Sequence, residues 1–118
     1  MEMTQETLDA DITHIALKGR LDIEGSQEID LRFSLATTSN PGKFVIDLSE
    51  VSFIASIGIR LLLTAGRAQA RRGGKTVIVP PQGMGGDVLK TAGVDLIIPI
   101  FPGLEAARAG LGGTALKL

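Results

Sequence analysis

The sequence contains no cysteine, no tryptophan and no tyrosine. Without cysteine, a disulfide scaffold, a thiolate metal site and a cysteine nucleophile are all excluded. Only four phenylalanines supply aromatic surface, so the base-stacking platforms of single-strand nucleic-acid binders have nothing to be built from. Charge of one sign is lacking as well. Twelve basic and 13 acidic side chains leave a formal charge of −1, too little to create a field that gathers nucleic acid or an anionic membrane. Long apolar runs are missing: the longest are a few residues, against the roughly 20 needed to cross a bilayer. The mixed polar and acidic start, Met1 to Leu8, has none of the features of a signal peptide. A cytoplasmic protein that neither inserts into membrane nor binds nucleic acid is expected.

What is present suits one folded domain over residues 1–118. The chain has 118 residues, 44% of them apolar, enough for a real core and too many for a disordered segment. Met3–Leu8 and Ile12–Leu17 read as a hairpin around an Asp9-Ala10-Asp11 turn. From Ile23 to about Thr38 the period changes. Ile29, Phe33 and Ala36 fall at i, i+4 and i+7, one face of a helix, which Ser39-Asn40-Pro41-Gly42 ends. Lys43–Leu48 is short and rich in β-formers, a buried strand. Ser49–Ala55 reads as a connection. A second helix is expected from Ser56 to about Arg72, with Arg67, Arg71 and Arg72 at the negative end of its dipole and Gly73-Gly74 as its stop. Lys75–Val79 reads as another buried strand closed by Pro80-Pro81. A loose Gly83–Gly86 segment follows, then a short Asp87–Ala92 helix capped by Gly93. A final strand is expected at Ile97–Phe101, demoted towards an edge by Pro99, and a last helix at Leu104–Leu111. Strands alternating with helices give an α/β fold: a mixed sheet of about five strands with about four helices packed against it.

Catalytic sets are hard to assemble. The one histidine, His14, lies mid-strand and reads as a solvent-face side chain. No paired histidines or clustered carboxylates have metal-ligand spacing. Gly83-Met84-Gly85-Gly86 lacks the Lys-Ser/Thr ending of a phosphate loop. No metal, no cofactor and no enzymatic activity are therefore expected of the chain itself.

Ser56 is the informative residue. Between a strand's exit and an apolar helix it reads as an N-cap, its hydroxyl accepting from a free backbone amide. A serine there is also exposed and reachable by a kinase. Phosphorylation would add a charge of about −1.5 to −2, tolerated by the helix amides but opposed by a partner docked over the same spot. Asp22, just before the first helix, likewise reads as a cap. Ile57, Gly58, Ile59, Arg60 and Leu63 are candidate partner contacts, because the opening of this helix carries more apolar surface than one buried face needs.

The stretch Asp47–Gly58, D-L-S-E-V-S-F-I-A-S-I-G, resembles the signature of the STAS domain of bacterial anti-sigma-factor antagonists: a strand ending D-L, a turn, V-x-F, then D-S-[ST]-G. Upstream, G-R-L-D at 19–22 resembles that family's G-E-L-D. Downstream, Gly73-Gly74-Lys75 and Thr91-Ala92-Gly93-Val94 fall in the family's order. The resemblance covers nearly the whole chain and implies the STAS fold. It implies that Ser56 is the phosphorylated residue and that Asp22 lies near it. It also implies two partners: an anti-sigma factor with serine kinase activity, sequestered by the unmodified form and released on phosphorylation, and a metal-dependent serine phosphatase that resets the switch. ATP and metal ions belong to those enzymes. Two positions depart from the pattern. Ala55 stands where the family often has aspartate, removing a carboxylate beside the acceptor. Ile57 replaces the second serine or threonine, leaving Ser56 as the one hydroxyl of the D-S-[ST]-G segment. An alternative implied by STAS-like proteins is an unphosphorylated adaptor subunit of a membrane assembly transporting lipid or anions.

Overall fold

A computed structural model of the protein describes residues 1–9, 11–82 and 85–112. Ala10 of the expected turn, and Gly83 and Met84 of the expected loop, lie outside them. The first strand, β1 (Glu2–Leu8), pairs antiparallel with β2 (Ile12–Leu21), from Glu2 opposite Lys18 to Leu8 opposite Ile12. β3 (Lys43–Ile54) and β4 (Lys75–Val79) add in parallel, giving a mixed sheet in the order β1-β2-β3-β4. Three of the connections are α1 (Ile23–Thr38), α2 (Ser56–Arg71) and α3 (Gly85–Thr91); α4 (Leu104–Gly110) follows a 3-10 turn at Val94–Leu96.

Strand alternation divides the core in two. Ile15, Leu17, Phe44, Ile46, Leu48 and Ile78 face α1, α2 and α3, meeting Ile29, Phe33, Leu62, Ala65 and Leu89. Ile12, Val45, Val77 and Val79 face the other way and meet Ala107 and Leu111 at α4. The central strands are thus apolar on both sides, as parallel strands covered on two faces must be.

β3 is longer than its sequence suggests. Ser49–Ile54 is not a connection but its second half, paired with Lys18–Leu21 of β2. The register slips between Ala16 and Lys18 and again between Gly19 and Arg20, so two irregularities bend the pair. They also break the two-residue alternation by which the strand would have been recognised. At the first, Asp47 Oδ1 accepts from the Ser49 amide at 2.9 Å, satisfying a backbone donor that the disrupted ladder would leave free.

The expected fifth strand is reduced to one parallel bridge, Ile78 with Ile100. Ile78 donates to the Pro99 carbonyl at 2.9 Å, and the Phe101 amide donates back to Ile78 at 2.9 Å. Pro99 and Pro102 have no N–H with which to extend that ladder. α3 begins at Gly85, two residues before its expected start, and Gly93 ends its turn at φ 78°.

The α1–β3 junction is held by α2. Gln69 is fully buried. Its amide nitrogen donates to the carbonyls of Thr37 and of Asn40 (3.0 Å), and its oxygen accepts from the Gly42 amide at 3.0 Å. Arg72 adds bonds to the carbonyls of Thr38 (2.6 Å) and Ser39 (3.1 Å). Among the described residues, no helix is long and apolar enough to cross a membrane.

Candidate functional site

Leu21 ends β2 opposite Ile54 of β3, and the Ala55 amide donates to the Leu21 carbonyl at 2.9 Å. After a single intervening residue, Asp22 in one case and Ala55 in the other, α1 and α2 begin. The sheet therefore delivers Asp22 and Ser56 to the same end of the molecule from neighbouring strands.

Asp22 caps α1. Its Oδ1 accepts from the Gly25 amide at 2.8 Å, and Arg20 Nε donates to Oδ2 at 3.3 Å. The Gly25 amide, helped by Arg20, holds the carboxyl below the usual aspartate range against the opposing desolvation. The Arg20 guanidinium also lies 4.5 Å from the centre of the exposed Phe53 ring, a cation–π contact.

Ser56 is not the N-cap of α2. Ala55 is, in extended conformation (φ −94°, ψ 171°), and it supplies no side-chain bond. Ser56 is the first helical residue and is exposed. The sequence placed the cap one residue late because serine is a good cap and alanine a poor one. The helix thus starts with its first amides free of a side-chain acceptor, and a hydroxyl among them.

Gly58 is buried, so it offers no surface to a partner. A Cβ on it would sit 2.7 Å from Leu21 Cγ and 2.9 Å from the Leu21 carbonyl oxygen, distances no side chain tolerates. Its role is to let the start of α2 close on the end of β2. Ile57, Ile59 and Leu63 are half-buried, with Ile59 and Leu63 packed against the main core. Ile57 lies in a groove with Asp30 and Ser34 of α1, on the flank of Arg60. Most of the apolar excess read from the sequence is used internally. Arg60 is exposed. On the other flank, Ser56 borders a shallow depression formed with Ile54, Ile59, Asp87, Val88 and Thr91. The contribution of α3 to this surface was not read from the sequence, because residues some thirty positions apart meet here only through the fold.

His14 also departs from expectation. It is half-buried, with Nε2 2.9 Å from Asp47 Oδ2 and Nδ1 3.2 Å from Glu6 Oε2. β1 and β3 flank β2 and bring one acid to each side of the ring. Burial raises the Asp47 pKa, but the Ser49 amide and side chain, together with His14, outweigh it and leave the carboxyl below its ordinary value. Both ring nitrogens are occupied. Among the described residues no group of three acids or histidines is placed to hold a metal.

A mixed sheet in this order, a β3 that runs straight into α2, and a serine on the first turn form the frame in which the D-L-x-x-V-x-F-x-x-S motif sits. The STAS domain family model matches residues 4–107. The chain belongs to the STAS domain family. Solved STAS structures agree with the fold. An anti-sigma factor antagonist from Mycobacterium paratuberculosis superposes with a TM-score of 0.84 at 20% identity, over 94% of this chain and 93% of that one. The anti-sigma factor antagonist SpoIIAA in its unphosphorylated form gives 0.72 at 22% identity, over 94% and 97%. The murine solute carrier 26 family member A9 anion transporter gives 0.71 at 16% identity, over 86% of this chain and 18% of the transporter. No curated protein sequence matches the chain significantly.

Proposed function

We propose that this STAS protein is an anti-sigma-factor antagonist whose partner is an anti-sigma factor with serine kinase activity. The opening of α2 is the docking surface. Transfer of a phosphoryl group from ATP to the Ser56 hydroxyl ends the complex, and a metal-dependent serine phosphatase reverses it. The reading takes residues 1–118 as one cytoplasmic domain that binds and does not catalyse. The observation that carries it is the exposed Ser56 hydroxyl on the first turn of a helix without a side-chain cap, one strand-end away from Asp22. Such a position accepts a dianion at little cost to the fold while changing what a docked protein meets. A binding loss of about 1.4 kcal/mol is already tenfold.

The test is incubation with a kinase-type anti-sigma factor from the same organism, with ATP and magnesium. Phosphate should map to Ser56 by mass spectrometry, Ser56→Ala should block its incorporation, and Ser56→Asp should weaken the complex at least tenfold. Incorporation elsewhere, or full binding by Ser56→Asp, rejects the switch. The superposition on a segment of an anion transporter, with Ala55 and Ile57 flanking the serine, supports a second reading as an unphosphorylated adaptor of a membrane transport assembly. Stable association with a transporter subunit and an unmodified Ser56 would select it.

A further inference from the structure

Ser56, Arg60, Thr64, Arg67 and Arg71 follow one another along α2 at spacings of four, four, three and four residues, and all five are exposed. That spacing makes one stripe down the helix, opposite the buried Gly58, Leu62, Ala65 and Gln69. Three of the five are arginines, in a chain whose net charge is −1. None of the three belongs to a salt bridge among the described residues. The candidate switch serine thus stands at the head of an uncompensated basic stripe.

The charges around Ser56 are distributed unevenly. Asp87 of α3 borders the depression on one flank. Asp22, at the end of β2, is engaged by the Gly25 amide and Arg20. Asp30 of α1 lies in the groove beside Arg60 but bonds the Ser34 hydroxyl at 3.1 Å. Ala55 contributes no charge. Only Arg60 is a cation within one helical turn of the serine on α2.

We propose that Arg60 captures the phosphate of phosphorylated Ser56 within the same chain. Helical side chains lean towards the N-terminus of their helix, so Arg60 reaches back over the turn that carries Ser56. Its planar fork matches two phosphate oxygens, and Asp87 repels the phosphate from the opposite flank. Phosphorylation then acts twice on the docking surface: it adds a dianion, and it withdraws the guanidinium nearest the helix start from any partner carboxylate. The stripe falls from three positive charges to about one. This rests on the reading of Ser56 as the modified residue.

The experiment needs no kinase. Phosphoserine is installed at position 56 during synthesis, and the second ionisation of its phosphate is followed by phosphorus NMR at low salt. The parent is compared with Arg60→Gln, Arg60→Lys and Arg67→Gln; all of these positions are exposed. Arg60→Gln should raise the phosphate pKa by about half a unit. Arg60→Lys should raise it less, and Arg67→Gln, two turns from the serine, should barely move it. Superimposable titrations of the parent and Arg60→Gln overturn the proposal. A kinase that fails to modify Ser56 overturns the proposed function and leaves this titration unaffected, so the two failures are distinguishable.

Discussion

Asp47 shows how one side chain serves both the strand and its neighbours. Its carboxylate accepts from the Ser49 amide at the irregularity in β3 and from His14 across the strand pair. These bonds, stronger to the ionised form, set its folded-state pKa below the unfolded value. Its contribution to stability is therefore complete above the unfolded value, about 3.9, and is lost as pH falls through the lower folded value. Asp47→Asn keeps the shape but not the charge. Urea unfolding should show the substitution to be destabilising at about pH 6 and much less so at about pH 3; an equal loss at both would remove the charge from the account. Asp47 was legible in the sequence as part of a motif, but its partners were not. His14 reaches it across a strand pairing, and Ser49 at an irregularity in β3, neither of which a local pattern announces. His14 looked solvent-facing for the same reason, since the acids that enclose it come from two other strands.

Gln69 is the residue that joins elements. One buried carboxamide satisfies the carbonyls of Thr37 and Asn40 and the amide of Gly42. The end of α1, the loop after it and the start of β3 thereby depend on α2. Gln69→Leu fills similar space but leaves three backbone groups without partners, each costing about 1 kcal/mol or more when buried. Chemical denaturation should show a loss of about 2–4 kcal/mol; a change below about 0.5 kcal/mol would mean that water or a shifted loop replaces the clamp. At this scale the sequence was informative where breakers bound an element. Ser39–Gly42 and Gly73-Gly74 mark the ends of α1 and α2, and Pro80 marks the end of β4. It misled where geometry overrode local preference. The second half of β3 hid behind two irregularities. The cap of α2 fell on Ala55 because the Ala55 amide is tied to Leu21, which leaves the better capping residue inside the helix.

At the scale of the whole molecule, α4 stands apart from the other helices, packed on the opposite face of the sheet. Ala107 and Leu111 bury against the sheet, and Arg108 forks onto Asp9 in the β1–β2 turn, Nε to Oδ2 at 3.0 Å and a terminal nitrogen to Oδ1 at 2.6 Å. That bidentate pair ties α4 to the β1–β2 turn and holds the Arg108 pKa above its ordinary value. Arg108→Gln should speed hydrogen exchange of the α4 amides while leaving exchange in β2 and β3 unchanged. Uniform acceleration would instead make α4 part of the global unfolding unit. The alternation of strands and helices made the α/β class and its mixed sheet legible, and several motifs in one order pointed to the family. The opposite placement of α4 was not legible, because both faces of β3 and β4 are apolar and the pattern does not say which helix takes which.

The bridge between Ile78 and Ile100 has a consequence for association. β4 is the outer parallel strand, and an open edge of this kind is a template for another chain's strand. Here the Ile78 N–H and C=O are already taken by Pro99 and Phe101, and the prolines at 99 and 102 bring no donors of their own. At the opposite edge, β1 presents Glu2, Thr4, Gln5, Glu6 and Thr7, all exposed, a polar and acidic border that discourages pairing. Each margin of the sheet thus carries a feature that disfavours fibril-like growth.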